Sequence, residues 1–203
     1  MDELEDQAFN RSLCQQAVYR CQRFSIHGRV LPGSRPLQRP VITGRTSQLH
    51  VAVVQENHFK DVNDSLGHPA GDAVLSATAD RLTAWAGRGA SVGRLGGDEF
   101  AVVLPLPRGR RDARLAQLVR MLHTPVTLED GQVIDVAASV GVAAPDAIGT
   151  RDLSLLQRAA DAALYEGKHS GRAHFATKKH ATVPSVNGRC AGRPGTHLWG
   201  RAA

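Results

Sequence analysis

The stretch Arg94-Leu95-Gly96-Gly97-Asp98-Glu99-Phe100-Ala101-Val102-Val103-Leu104 decides the fold. Two adjacent glycines separate a short strand pattern at residues 91–95 from an apolar run at residues 100–104. Consecutive glycines suit a tight hairpin, because such turns need positive φ angles. The apolar run has no polar face, so we expect its strand to lie inside a sheet. This stretch therefore predicts a β-hairpin with two carboxylates at or just past its turn.

Hydrophobic periodicity on both sides of this hairpin predicts one folded domain over residues 47–176. The predicted elements are a strand at 49–54, helices at 71–86, 111–123 and 152–167, a second hairpin around 127–133 whose second strand runs to 142, and an edge strand at 172–175. On the long second strand, Ala137, Ser139 and Gly141 give one face only small side chains, so a helix can pack closely against it. The order of elements predicts an α+β fold, with helices flanking a central, mainly antiparallel sheet.

The two flanks of this domain differ from it in composition. Residues 1–46 combine a helical pattern at 3–24 with an irregular lead-in rich in Gly, Pro and Arg. Residues 177–203 form a basic tail with little apolar content, which we expect to be disordered. The net charge of +6 lies in these flanks, whereas the residues between them are slightly acidic. Since nucleic-acid-binding domains carry Lys and Arg on the folded face, we expect no DNA or RNA binding by the domain.

Composition also limits the cellular context of the chain. With 203 residues, 42% of them hydrophobic and 22% charged, the chain has an ordinary soluble composition. No apolar run approaches the roughly 18 residues of a membrane span, and the acidic start differs from a secretory signal. Cys14, Cys21 and Cys190 have no metal-ligand spacing and are typical of free thiols in a reducing compartment. We therefore expect a cytoplasmic protein.

Three polar clusters carry the candidate chemistry. They are His58-Phe59-Lys60-Asp61-Val62-Asn63-Asp64 with Gly67-His68 and Gly71-Asp72, the hairpin Arg94-Leu95-Gly96-Gly97-Asp98-Glu99-Phe100, and Ala163-Leu164-Tyr165-Glu166-Gly167-Lys168-His169-Ser170-Gly171-Arg172. In the hairpin, Asp98 and Glu99 are adjacent carboxylates, whose repulsion is relieved either by solvent or by a divalent cation. Taken alone, this cluster leaves a solvated turn and a cation site open.

The other two clusters also have structural explanations. Lys168 and Arg172 lie four residues apart across a predicted helix C-terminus, where cations suit the helix dipole. That placement fits a capping feature as well as a phosphate site. Asn63 and Asp72, taken alone, fit a turn former and an N-cap. No single cluster decides the function.

In this order and at this spacing, the three clusters together resemble the GGDEF family, the bacterial diguanylate cyclases that condense two GTP molecules into cyclic di-GMP. The shared motifs are FKxxND-x-x-GH-x-x-GD, RxGGDEF and ALYxxKxxGR, which lie between His58 and Arg172. The resemblance implies a nucleotide-cyclase-like architecture with a ferredoxin-like palm. It also implies GTP as substrate, Mg²⁺ or Mn²⁺ as cofactor, and an active homodimer, because two bound GTP molecules must face each other.

The resemblance also implies a role for each matching position. Gly96 and Gly97 form the hairpin, Asp98 binds the metal, and Glu99 is the candidate that activates the 3′-hydroxyl, so that Asp98 and Glu99 are the catalytic pair. The backbone carbonyl of Glu56 is a further candidate metal ligand. The implied GTP contacts are Asn63 and Asp72 at the guanine edge, Lys168 and Arg172 at the triphosphate, and Phe59 and Lys60 beside the assisting backbone amides.

Gln55 is the main departure from the family pattern. The family has an Asp there that shares the metal with the hairpin carboxylate, whereas Mg²⁺ sheds water reluctantly for a neutral amide. Glu56 is adjacent, but on a regular strand its side chain points to the opposite face. We therefore predict a diguanylate cyclase of reduced activity. The alternative is a catalytically degenerate module that binds GTP or a partner protein in cyclic di-GMP signalling, and a nucleic-acid binder acting through the basic tail is the least favoured.

Two further family features are missing. Residues 20–48 lack the Asp-x-Leu-Thr-Gly-Leu-x-Asn-Arg signature that usually precedes the first strand. The product-binding Arg-x-x-Asp is also absent, since Gly87 and Ala90 occupy its places. We therefore expect no product inhibition by that route.

Overall fold

The computed structural model describes residues 49–87, 90–168, 170 and 172–181. These residues form strands β1 (Leu49–Glu56), β2 (Ser91–Gly96), β3 (Glu99–Pro105), β4 (Val126–Thr127), β5 (Val133–Ile134), β6 (Ala138–Ala143) and β7 (Ala173–Phe175). The helices are α1 (Phe59–Leu66), α2 (His68–Ala86), α3 (Arg111–Leu122), α4 (Pro145–Ile148), α5 (Leu153–Gly167) and α6 (Lys178–Ala181).

The main sheet has the strand order β2-β3-β1-β6-β7. β1 lies in the middle and is antiparallel to both β3 and β6, whereas the short edge strand β7 is parallel to β6. Helices α2 and α3 cover one face of this sheet, and α5 covers the other. The predicted α+β class and the mainly antiparallel sheet are confirmed.

Strand β1 supplies apolar side chains to both layers, which explains the apolar run from Val51 to Val54. Val51 and Val53 belong to the core beneath α5, while Ala52 and Val54 belong to the core beneath α2 and α3. Successive side chains on a strand point to opposite faces, so a strand covered on both sides is mainly apolar on both of them. His50 is a buried polar residue near the start of β1, and the strand ends in the polar pair Gln55 and Glu56.

Helix α5 packs directly on the backbone of β6, as the small residues of that strand predict. A Cβ placed on Gly141 would overlap the carbonyl oxygen of Ala160 and crowd the backbone nitrogen of Leu164. The helix begins as predicted, because the side chain of Asp152 accepts a hydrogen bond of 2.9 Å from the backbone N–H of Leu155. These two features fix the position and the start of α5 relative to the sheet.

Three features of the fold differ from the sequence prediction. Helix α1 was not predicted, and α2 begins three residues earlier than expected, with Gly67 at a φ of 83° separating the two helices. The strand predicted from 133 to 142 is interrupted at 135–137, although the carbonyl of Ala137 still accepts a hydrogen bond from the backbone N–H of Asn57, the residue after β1. Strands β4 and β5 consequently form a separate two-stranded sheet.

The first residues of the predicted tail belong to the fold. Residues 178–181 form α6, and His180 is only 3% exposed. Its Nε2 atom lies 3.2 Å from a carboxylate oxygen of Glu166, which also accepts a bond from Lys179. The domain therefore extends beyond the expected limit at residue 176. The predicted helix at 3–24, the lead-in up to 46 and the rest of the predicted tail lie outside the described residues. Within those described, no helix combines the length and hydropathy that a bilayer crossing requires.

The last residue of β1 joins the sheet to α2 through its side chain. The hydroxyl of Thr78 donates a hydrogen bond of 2.6 Å to Glu56, which is 3% exposed. Burial raises the pKa of Glu56 to about 7, although the bond from Thr78 and the positive charge of Arg81 act in the opposite direction. A buried carboxyl at the end of the central strand thus stays protonated over a wider pH range than an exposed one.

Substitution of Gly141 should reveal the close contact between α5 and β6. We expect Gly141→Ala to lower the free energy of unfolding by roughly 3 kcal/mol, because backbone atoms of α5 must move to admit a methyl group. Gly109→Ala is the matched control, since a Cβ there meets nothing within 4 Å, and it should change stability by less than about 0.5 kcal/mol. Urea unfolding of both variants measures the difference, and equal effects would contradict the packing described.

The raised pKa of Glu56 predicts a pH dependence of stability with a definite sign. Between about pH 4.5 and about pH 7 the folded chain keeps a proton that the unfolded chain releases, so this contribution to stability is lost as the pH rises. Relative to Glu56→Gln, the parent chain should lose about 3 kcal/mol of unfolding free energy across this range. Urea unfolding at several pH values tests this. Glu129→Gln, at an exposed hairpin turn, should leave the profile unchanged, and a flat difference for Glu56→Gln would refute the prediction.

Candidate active site

Strand pairing brings the predicted residues to one edge of the main sheet. Gln55 pairs with Glu99 of β3 on one side and with Ser139 of β6 on the other. Because Ala173 pairs with Val140 in a parallel register, Arg172 lies at the level of Ser139. Adjacent strands are about 4.8 Å apart, so a row running from Glu99 through Gln55 to Arg172 is roughly 15 Å long.

The hairpin between β2 and β3 has the tight turn that its glycines predict. Gly97 adopts a φ of 53°, and the register shifts between Arg94 and Gly96, so the turn is bulged. Asp98 is half-buried beside this turn, and Glu99 is 2% exposed as the first residue of β3. The two carboxylates therefore start the same strand in different environments.

Gln55 and Asp98 are in direct contact. The amide Nε2 of Gln55 donates a hydrogen bond of 3.2 Å to a carboxylate oxygen of Asp98, and the backbone N–H of Glu56 donates to the Asp98 carbonyl at 3.1 Å. The side chain of Glu56 lies on the other face of the sheet, against α2, as strand alternation predicts. A neutral amide thus occupies the space beside the hairpin carboxylate, and the neighbouring carboxylate does not replace it.

The oxygen atoms at this edge are a suitable donor set for a hard cation. Among the described residues, no three His, Cys, Asp or Glu side chains converge into a metal cluster. The Asp98 carboxylate and the amide oxygen of Gln55 are nevertheless both oxygen donors, which Mg²⁺ and Mn²⁺ accept, as is the backbone carbonyl of Glu56. This donor set fits a divalent cation, but it supplies one negative charge fewer than a pair of aspartates would.

Arg94 is a site residue that the sequence analysis treated only as part of a motif. Its guanidinium donates from Nε and Nη2 to the carbonyl of Gly97, so it braces the turn that carries Asp98. Burial lowers the pKa of Arg94, and the charges of Asp72 and Asp98 partly offset that effect. Arg94 therefore couples electrostatically to both a predicted guanine-reading residue and the predicted metal ligand. The position of Arg94, two residues before the Gly-Gly pair, was the feature of the sequence from which this role could have been predicted.

The junction of α1 and α2 places Asn63 beside Gly71, the residue before Asp72. Helix α1 ends at Leu66, the backbone N–H of Gly67 donates to the carbonyl of Asn63 at 2.9 Å, and α2 begins at His68. A Cβ on Gly71 would overlap the Asn63 amide and crowd the ring of Phe59. Only a glycine at this position allows the two helices to approach so closely, and Asp72 follows it directly, exposed to solvent.

The remaining predicted residues are exposed cations around the same edge. Lys168 follows the last residue of α5, Arg172 precedes β7, and Lys60 lies on the first turn of α1. The β1–α1 loop contains His58 in the left-handed region, with a φ of 58°, where its ring contacts Asp61 at 3.1 Å. The three predicted cations therefore lie in a helix's first turn or in the residues between α5 and β7.

A small cleft lies on the other side of α1. It encloses about 140 Å³ and is lined by Glu56, Asn57, His58, Phe59, Val62, Val74, Asp135, Val136 and Ala137. Neither the predicted guanine-reading pair nor the hairpin carboxylates line it. Val74 faces this cleft while Asp72 does not, because residues two apart on a helix point to nearly opposite sides.

Known proteins share this arrangement. The family model described as "Diguanylate cyclase, GGDEF domain" matches residues 36–174, which include part of the predicted lead-in. A 19.3 kDa protein from the repSA 5′ region of Streptomyces ambofaciens is 44% identical over 122 residues, covering 60% of this chain and 64% of the relative. The diguanylate cyclase TpbB of Pseudomonas aeruginosa is 37% identical over 127 residues, covering 62% of this chain but only 29% of that enzyme. The chain thus spans less than two thirds of the length of these curated relatives.

The solved structures agree with the sequence comparisons. The GGDEF domain of TpbB superimposes with a TM-score of 0.62 at 28% identity, covering 86% of this chain and 91% of that domain. The family model matches well over half of the chain. The chain therefore belongs to the GGDEF family of diguanylate cyclase domains.

Proposed function

We propose that the chain is a diguanylate cyclase of reduced activity, which condenses two GTP molecules into cyclic di-GMP with Mg²⁺ or Mn²⁺. Family membership supports the reaction class. The contact between the Gln55 amide and the Asp98 carboxylate supports the reduction, because a neutral group lies where a second negative charge would strengthen cation binding. This contact is the single observation that carries the proposal.

GTP recognition is assigned to the two ends of the site. Asn63 lies against Gly71 at the α1–α2 junction and Asp72 follows Gly71, so this junction offers an amide and a carboxylate that can hydrogen-bond the guanine edge. Lys168 and Arg172 are exposed cations at the opposite end, suited to the negative triphosphate. Phe59 and Lys60, at the start of α1, are assigned to the loop beside the phosphates. Charge and hydrogen-bonding capacity thus change along the site as they do along GTP.

Catalysis is assigned to the hairpin. Asp98, the Gln55 amide oxygen and the Glu56 carbonyl would hold the divalent cation, which when bound neutralises phosphate charge and polarises the phosphorus centre. Glu99 accepts the proton of the 3′-hydroxyl group of the second GTP. The oxygen of that hydroxyl group forms a bond to the α-phosphorus of the first GTP, and pyrophosphate leaves. Because the protein supplies mainly position and charge in such a reaction, loss of one charge should lower the rate.

A homodimer follows from the stoichiometry of this reaction. Each chain has one set of guanine- and phosphate-binding residues, and the product contains two GMP units joined by two bonds. Two chains related by a two-fold axis can place each 3′-hydroxyl against the other α-phosphorus. We therefore propose that turnover requires two copies of this chain.

The second candidate function is GTP binding without turnover. The observation that favours it is again Gln55, since its amide N–H satisfies one carboxylate oxygen of Asp98 and competes with a cation for that oxygen. In this case the guanine and phosphate residues would be retained while the metal site is lost. The two candidates differ only in whether cyclic di-GMP forms.

Substitution of Gln55 should separate these candidates. We expect Gln55→Asp to raise the rate of cyclic di-GMP formation from GTP by about tenfold or more, because it restores a charge beside Asp98. Gln55→Asn is the matched control, since the Asn side chain has the same length as Asp but no charge. This variant should not raise the rate. Chromatographic detection of the product with Mg²⁺ and with Mn²⁺ measures both variants.

Each outcome of this experiment identifies a cause. Equal rates for Gln55→Asp and Gln55→Asn would show that the missing charge is not the defect. A parent chain as fast as Gln55→Asp would contradict reduced activity. GTP binding without product in the parent and in Gln55→Asp would establish the second candidate function. Asp98→Asn should abolish any product that is observed.

A further inference from the structure

Of the two predicted triphosphate cations, Lys168 lies in a short turn after α5 and Arg172 lies just after that turn. The backbone N–H of Ser170 donates to the carbonyl of Gly167 at 2.9 Å, which closes a turn carrying Lys168. Arg172 follows this turn immediately before β7. The position of both cationic side chains therefore depends on how this turn is fixed to the domain.

One end of the turn rests on the ring of His174. Gly167 is buried, and a Cβ on it would overlap the Cδ2 and Cγ atoms of His174. Since His174 lies in β7, which pairs with β6, its ring is fixed relative to the main sheet. The last residue of α5 is thus held against the sheet by a planar side chain that leaves no room for a larger residue.

The other end of the turn is hydrogen-bonded to the same ring. The Oγ atom of Ser170 lies 2.7 Å from the Nε2 atom of His174. The same oxygen accepts a bond of 3.2 Å from the backbone N–H of Arg172. His174 therefore contacts both ends of the turn, and Ser170 extends the contact to the second cation.

We propose that His174 and Ser170 are positioning residues for Lys168 and Arg172, and that they set the preference of the site for a triphosphate over a nucleoside. This inference rests on the proposed GTP-binding function and deepens it. Long exposed cations lose considerable side-chain entropy when they bind, so a backbone already fixed in place makes each phosphate contact more favourable. Neither residue needs to touch the nucleotide.

Nucleotide binding tests the proposal without relying on turnover. The probes are guanosine and a GTP analogue with a methylene group bridging the α- and β-phosphorus atoms, which cannot lose pyrophosphate. Calorimetry with Mg²⁺ should show that His174→Phe and Ser170→Ala each weaken binding of the analogue by about three- to tenfold. Guanosine affinity should stay the same, because guanosine has no phosphate for Lys168 and Arg172.

Two further variants separate positioning from loss of structure. His174→Gln retains a hydrogen-bonding nitrogen near the place of Nε2 and should recover most of the affinity that His174→Phe loses. Ser154→Ala, in the first turn of α5 at the far end of the helix, is the matched control for Ser170→Ala and should bind both probes like the parent. An equal loss of affinity for guanosine and for the analogue would indicate a merely structural role and overturn the proposal.

A double-mutant cycle adds an independent criterion. In a Lys168→Ala background, His174→Phe should weaken analogue binding less than it does in the parent, because one of the positioned cations is already gone. Equal losses in both backgrounds would overturn the proposal. If the parent binds guanosine but not the analogue, or neither, the proposed function fails and this inference fails with it. If the parent binds the analogue and the His174 and Ser170 variants bind it equally well, only this inference fails.

Discussion

The pairing of β1 with neighbours on both sides is the constraint on which the rest of the structure depends. Its first six residues are buried between two helical layers and contribute to both cores. Its last two residues emerge at the edge, and their registers with β3 and β6 determine what lies beside them. A shift of one residue would exchange Gln55 and Glu56 between the two faces. Core packing therefore fixes which side chain faces the hairpin carboxylate.

This constraint explains why the carboxylate next to Gln55 does not replace the missing Asp. Glu56 has the charge that the site lacks, but it is directed into the α2 interface and bonded by Thr78. Moving it to the other face would need either a bulge in the most buried strand or an unpaired buried hydroxyl at Thr78. Both cost free energy in the core. The strand that positions the site therefore also prevents Glu56 from supplying the missing carboxylate.

The sequence predicted those parts of the fold that depend on local patterns. The hairpin follows from Gly-Gly between strands, the position of α5 from the helical pattern over residues 152–167, and the packing of α5 on β6 from the small residues Ser139 and Gly141. Helix α1 was missed because it has only eight residues and no buried side chain. The interruption at 135–137 was missed because apolar residues alternate without a break from Ile134 to Val142, so no local pattern marks where the pairing partner changes from β4 to β1.

The same distinction applies to the site. The residues proposed to contact the ligand lie in three short motifs. The order and spacing of these motifs in the sequence were enough to predict them. Arg94 lies in one of those motifs, but the sequence does not show that it braces the turn through the carbonyl of Gly97. Ser170 and His174 act through a turn and a ring face, and neither contact can be read from the sequence. A motif therefore defines which chemical groups a site contains, whereas the contacts around the motif determine how well each group is positioned. Two chains with the same motifs can accordingly differ in activity through residues that never touch the substrate.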